Sequence, residues 1–161
     1  MIAPFSDILV YLDGSEGSLS AAMYSIMLAK STNANLHALY VVNTKALGDL
    51  LNAHIFIDME KNEYLEDLVK DSERHLRHMK KLALSKDCEV TVLSVEGAPH
   101  AEVMKYIKEN NIDLLLLGSL NTIHSRREEL VSETDRMLRT SPCPVLVVKD
   151  YEEIWDKFEE I

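Results

Sequence analysis

The sequence predicts an α/β protein: one doubly wound, five-stranded parallel sheet in strand order 3-2-1-4-5, with helices on both faces. Three observations predict it. The apolar period switches repeatedly between two and three-point-six residues, with turn residues at each switch, which is the pattern of βαβ units. Asp113-Leu-Leu-Leu-Leu-Gly118-Ser119 is an apolar run that stops at Gly118, the mark of a buried parallel strand emptying into a loop. The chain of 161 residues suits a single domain, large enough to bury a core without disulfides or metal.

Ile8-Leu-Val-Tyr-Leu12 reads as the first buried strand, ending at Asp13-Gly14. Ser15 is placed to cap a helix whose buried stripe is Leu19, Ala22, Met23, Ile26 and Met27. Leu36 to Val42 is the second strand. Asn43 to Met59 reads as irregular, yet Leu47, Leu50, Leu51, Ile55, Phe56 and Ile57 are too apolar for a solvated linker, so the stretch is expected to fold over something. Glu60 to Lys86 reads as a long helix with Tyr64, Leu68, Leu76, Met79, Leu82 and Ala83 facing in. At about 1.5 Å per residue it runs roughly 40 Å, longer than the sheet needs, so its first turns should overhang. Glu89 to Val95 is the third strand, Pro99 suits a helix first turn, and that helix runs to about Asn110. Asp113 to Leu117 is the fourth strand. A helix ending near Thr140 leads into the fifth, Val145 to Val148.

The order of strands reverses between the first and the fourth. The loops that begin at Asp13 and at Gly118 therefore face each other across the crevice where open α/β sheets bind ligands. Residues 1–149 form the domain and residues 150–161 an acidic amphipathic tail.

Composition excludes several function classes. A net charge of -10 argues against binding nucleic acid or an anionic membrane through a broad face. The N-terminal stretch lacks a basic segment followed by a long apolar one, and no apolar run approaches the roughly 18 residues of a membrane span. Cys88 and Cys143 stand in no metal or redox spacing and read as plain thiols, which fits a reducing cytoplasm. No phosphate-binding Gly-x-x-x-x-Gly-Lys-Ser/Thr loop is present, and Gly14-Ser-Glu-Gly17 is not the dinucleotide fingerprint. No nucleophile stands with a base and an orienting acid at readable spacing, so the sequence gives no enzyme and no catalytic residue. His75 and His78 share a helix face near Asp71 and Glu73, but without a Cys or a third ligand a solvated charged face is the default, and no metal site is expected.

Several segments, in order, carry a family resemblance: Val10-Tyr-Leu-Asp13-Gly-Ser-Glu-Gly-Ser18, Leu39-Tyr-Val-Val42, Glu96-Gly97-Ala-Pro99-His100, Asp113 to Ser119, and Thr134-Asp-Arg-Met-Leu-Arg139 before Pro142-Cys-Pro-Val-Leu-Val-Val148. From Ile8 to Lys149 the chain resembles the universal stress protein family. The resemblance implies an adenine nucleotide alpha hydrolase-like fold, frequent homodimers, and a split between nucleotide-binding and nucleotide-free members. In ATP-binding members the loop after the fourth strand reads Gly, two residues, Gly, nine residues, Gly, then Ser or Thr. The counterparts here are Gly118, Asn121, Val131 and Ser132, so two of the three glycines are missing. Glycine lets backbone amides close on phosphate oxygens and take positive φ. Asn121 is a mild departure, because Asn visits the left-handed region. Val131 is a severe one, because a β-branched residue disfavours positive φ and projects methyls where phosphates would lie.

Ser125-Arg-Arg-Glu128 forms a capping box, and Leu130, Val131, Thr134, Met137 and Leu138 continue one face from it. The expectation is a helix that starts near Arg126, puts Val131 inside it and overbuilds the phosphate loop. The opposing reading is that Ser119, Ser132, Arg126 and Arg127 rebuild an anion site. The resemblance also sets Asp13 near the adenosine or a phosphate-bound metal, and Val41 where a backbone meets adenine. Both have plainer readings, Asp13 as a turn-maker and Val41 as core.

In the tail, Tyr151, Ile154, Trp155, Phe158 and Ile161 recur at helical spacing among six acidic residues and one lysine. A helix this short is marginal alone, so Ile154, Trp155 and Phe158 are expected to dock on this domain, on a second copy or on another protein. Val145, Leu146, Val147 and Val148 form the predicted sheet edge and the expected homodimer interface. The leading expectation is a regulatory stress-response module acting by homodimerisation or partner binding, with weak or absent ATP binding and no cofactor. The alternative is a regulator that holds ATP with Mg between Asp13, Val41, Gly118, Ser119, Asn121 and Ser132, with at most slow hydrolysis.

Overall fold

The computed structural model describes residues 3–53, 58–119, 132–149 and 151–161. Its elements are β1 (Asp7–Leu12), α1 (Glu16–Thr32), β2 (Asn35–Asn43), α2 (Thr44–Asn52), α3 (Asp58–Ser85), β3 (Val90–Gly97), α4 (Pro99–Glu109), β4 (Leu114–Gly118), α5 (Glu133–Thr140), β5 (Val145–Val148) and α6 (Tyr151–Glu160). The sheet has five strands in the order β3-β2-β1-β4-β5, all paired parallel, as the sequence predicts. β1 is central: Leu12 pairs with Tyr40 of β2, and Val10 with Leu116 of β4.

Strand alternation sends side chains to two cores. Ile8, Val10, Leu12, Ala38 and Tyr40 face α1, α3 and α6, where Met23, Ile26, Met79 and Phe158 close the layer. Leu9, Tyr11, Leu39, Val41, Leu115 and Leu117 face α4 and α5, meeting Val103, Ile107 and Met137. β4 is buried at every position, as a strand covered on both faces must be.

Ser15 caps α1 by accepting a hydrogen bond from the Ser18 amide, and Pro99 opens α4, both as predicted. The buried surface of α1 is wider than the predicted stripe. Ser18, Ser20, Ala21, Ser25 and Ala29 are buried as well, while Leu19 and Met27 are only partly so, because α1 packs on the sheet and also against α6.

Three further expectations are corrected. The stretch after β2 contains α2, whose Leu47 is buried; Gly48 within it hid that helix. Tyr64 of α3 is 40% exposed, while its neighbour Leu65 is the residue of that turn packed on the core. The third concerns α5. Ser132 has extended backbone (ψ 111°) and caps Glu133–Thr140 by accepting from the Asp135 amide, so no unbroken helix runs from Arg126 to Thr140. The sequence held two cap signatures, Ser125 with Glu128 and Ser132 with Asp135, and the second sets α5. Asn121, Val131 and the expected start near Arg126 lie outside the described residues.

The tail helix α6 returns to its own domain. Ile154 and Phe158, one turn apart, are buried in the α1-side core. The Lys86 ammonium lies 4.9 Å from the Phe158 ring centre and donates to the Ile161 carbonyl oxygen at 2.9 Å. Trp155 does not share that stripe. It is 40% exposed, and its indole N–H donates to Glu159 on the same helix. Among the described residues no helix is long and apolar enough to cross a membrane.

Candidate functional site

The carboxyl ends of β1 and β4 define the crevice. β1 leads into Asp13, whose carboxylate accepts from the Ser15 amide at 2.9 Å and from the Ser15 hydroxyl at 2.5 Å. Ser15 then accepts from the Ser18 amide. Asp13 thus organises the entry into α1 and stays exposed.

Gly14 has φ +81° and lies against His75 of α3, whose Nε2 would be 2.8 Å from an added Cβ. The His75 ring stacks on Tyr40 at 5.7 Å between centroids and 8° between planes, and its Nε2 lies 3.4 Å from Asp71. Arg74 also pairs with Asp71. Burial pushes the Tyr40 phenol up, with Asp71 and then Asp13 adding in the same direction. His75, expected on a solvated charged face, lies against the turn that carries Asp13. Among the described residues no group of three or more His, Cys, Asp or Glu is placed to hold a metal ion. The cavity of about 160 Å³ beside His75 and His78, lined also by Ser15, Leu19 and Met79, is smaller than a nucleotide requires.

On the other side of β1, Gly118 ends β4 pressed against the first turn of α1 at Gly17, and Ser119 follows, exposed. Val41 is buried in the core under α4. Tyr11, two residues before Asp13, is 5% exposed in the same core. Burial pushes its phenol up, and the nearby Asp13 and Glu133 carboxylates, then Tyr40, push it further the same way. A protonated tyrosine therefore stands near the end of β1, with the charges of Asp13 and Glu133 acting on it.

The first turns of α4 and α5 meet above it. Glu133, the first residue of α5, accepts a hydrogen bond on Oε2 from the His100 amide in the first turn of α4 at 2.8 Å. Its Oε1 lies 3.7 Å from Arg136. Thr140 donates its hydroxyl proton to the Arg136 carbonyl, so its oxygen is an acceptor for His100 Nε2 at 2.6 Å, which fixes the proton of the neutral ring on Nε2. Burial lowers the His100 pKa, Arg136 and Lys45 lower it further, and Glu133 opposes them.

The structure thus brings Asp13, Val41, Gly118, Ser119 and Ser132 to one edge of the sheet. The Ser132 hydroxyl oxygen accepts from the Asp135 amide in the α5 cap. Sequence reading missed Tyr11, Glu133 and the role of His100. Tyr11 was legible as the last odd-numbered residue of β1, facing away from Leu12. Glu133 looked like an ordinary first-turn acid.

A family model described as the universal stress protein family matches residues 4–149. The chain belongs to the universal stress protein family. Universal stress protein YxiE of Bacillus subtilis is 30% identical over 151 residues, covering 90% of this chain and 99% of that relative. Universal stress protein UspA from Lactobacillus plantarum superposes with a TM-score of 0.71 at 26% identity, over 91% of this chain and 99% of its own. A universal stress protein family protein from Arabidopsis thaliana, solved with AMP bound, shares the fold with a TM-score of 0.64 at 14% identity, over 92% of this chain and 94% of its own. The family match ends before α6, so in this universal stress protein the tail helix stands outside the matched region.

Proposed function

We propose that this universal stress protein is a cytoplasmic regulatory module that acts by association, as a homodimer joined along β5, with a crevice that binds ATP weakly or not at all and performs no catalysis. The observation that carries the reading is the β5 edge. Val145, Leu146 and Val147 are only half-buried at the end of the sheet, and the strand holds no charge, proline or bulge to keep a second strand away. Val131 in place of a phosphate-loop glycine supports the weak binding of ATP, as does the engagement of Asp13 and Ser132 within their own turns. The two cysteines, both free, fit a reducing compartment.

A second reading has two observations in its favour. Ser132 caps α5 with extended backbone, where a continuous helix was expected to overbuild the phosphate loop, and a protein of the same fold was solved with AMP bound. Under it the chain is an ATP- and Mg-binding regulator using Asp13, Val41, Gly118, Ser119, Asn121 and Ser132.

Sedimentation velocity tests the first reading. The native chain is expected to sediment as a dimer and Val147→Lys as a monomer with unchanged circular dichroism. A native chain that stays monomeric at micromolar concentration contradicts it.

A further inference from the structure

We infer that Glu133 is the residue that turns this crevice against phosphate: its carboxylate sits as a built-in anion where the first turns of α4 and α5 meet. The inference rests on the reading of weak ATP binding and names its cause within the described residues.

Helix first turns hold backbone N–H groups without internal partners, and these attract anions. At the carboxyl edge of this sheet the first residue of α5 reaches the first turn of α4. The His100 amide of α4 donates to Glu133 at 2.8 Å. A carboxylate from the chain thus fills a donor that an incoming anion would use.

Glu133 is not needed as a helix-dipole partner for α5. Asp135 lies in the same first turn and pairs with Arg139 at 2.9 Å, while Ser132 supplies the cap. Glu133 reaches out of its own helix to the neighbouring one, and four-fifths of its side chain is covered. It also holds a nearby cation: Arg136, 47% exposed, lies 3.7 Å from Glu133. The carboxylate opposes an anion in three ways, by taking the amide, by drawing on the arginine and by adding like charge in a part-buried setting. Asp13, which follows β1 and also acts on the Tyr11 phenol, adds a second negative group near the carboxyl edge of the sheet. The residues described here do not fit a polyphosphate.

Glu133→Gln keeps an oxygen able to accept from the His100 amide and removes the charge. Calorimetric titration of MgATP, inorganic tripolyphosphate and adenosine into the native chain, Glu133→Gln and Glu133→Asp tests the inference, with circular dichroism as the check on folding. Glu133→Gln is expected to bind MgATP and tripolyphosphate at least roughly tenfold more tightly than the native chain, the scale of a like-charge contact in a part-buried site. Adenosine, which carries no charge, is expected to change less than about twofold. Glu133→Asp, which keeps the charge, should stay with the native chain. Glu133→Gln indistinguishable from native toward both anions overturns the inference and leaves the reading of weak binding intact. An equal gain for adenosine, or an equal gain in Glu133→Asp, overturns it too, because charge would not be the cause. Tight MgATP binding by the native chain overturns the underlying reading itself.

Discussion

Gly118 and Gly17 meet backbone to backbone at the crevice: a Cβ on Gly118 would stand 2.4 Å from the Gly17 carbonyl carbon and 2.5 Å from its oxygen. The next atom it would meet, the Ser18 amide nitrogen, is at 2.7 Å. All three are main-chain atoms of the first turn of α1, so no side chain can rotate away. β4 and α1 can keep their packing only while residue 118 has no side chain. Gly118→Ala is therefore expected to destabilise the fold by about 3 kcal/mol, the upper range for overpacking. Ser119→Ala, one residue on and exposed, should shift stability by less than about 0.5 kcal/mol. Urea midpoints of the two variants against the native chain check both.

The tail helix yields an asymmetric pair. Phe158 is 6% exposed in the α1-side core beneath the Lys86 ammonium, whereas Trp155 is 40% exposed and held to Glu159. Phe158→Ala should cost about 3 kcal/mol through lost burial and the cavity left behind. Trp155→Ala should cost less than about 1 kcal/mol. Equal losses in chemical denaturation would show that the helix docks through a different face.

Acid should weaken the α4–α5 contact through His100. Its folded pKa is lowered by burial and by Arg136, so on acidification the unfolded chain takes up the proton first. The neutral ring's contribution is present above the unfolded pKa of about 6.5 and is lost as pH falls from there toward the lower folded value. Between pH 8 and 5.5 the native chain should therefore lose more stability than His100→Gln, measured as the change in urea midpoint. A variant that loses as much as the native chain would remove His100 from the account.

The frame was readable because the signals for it are local. β5 was read to its observed ends, and β1, β2 and β4 fell within one residue at each end, since an apolar run bounded by turn residues leaves little freedom. Ser15 and Pro99 were readable for the same reason, each acting on its own helix. Four features were not. α2 is short and carries Gly48, so its identity comes from packing against α3 and β3 rather than from its own sequence. The start of α5 had two competing cap signatures, and local sequence cannot rank them. The bond between Glu133 and His100 joins residues 33 positions apart, and the stack of His75 on Tyr40 likewise depends on how two elements approach. Contacts between elements are where the crevice gets its charge, and a linear reading does not hold them.

The central claim is that this member of the family keeps the fold while its crevice turns a triphosphate away. Calorimetric titration of ATP with magnesium into the native protein tests it most directly. The account predicts no saturable binding tighter than roughly 100 μM; stoichiometric binding with Kd below about 1 μM would contradict it.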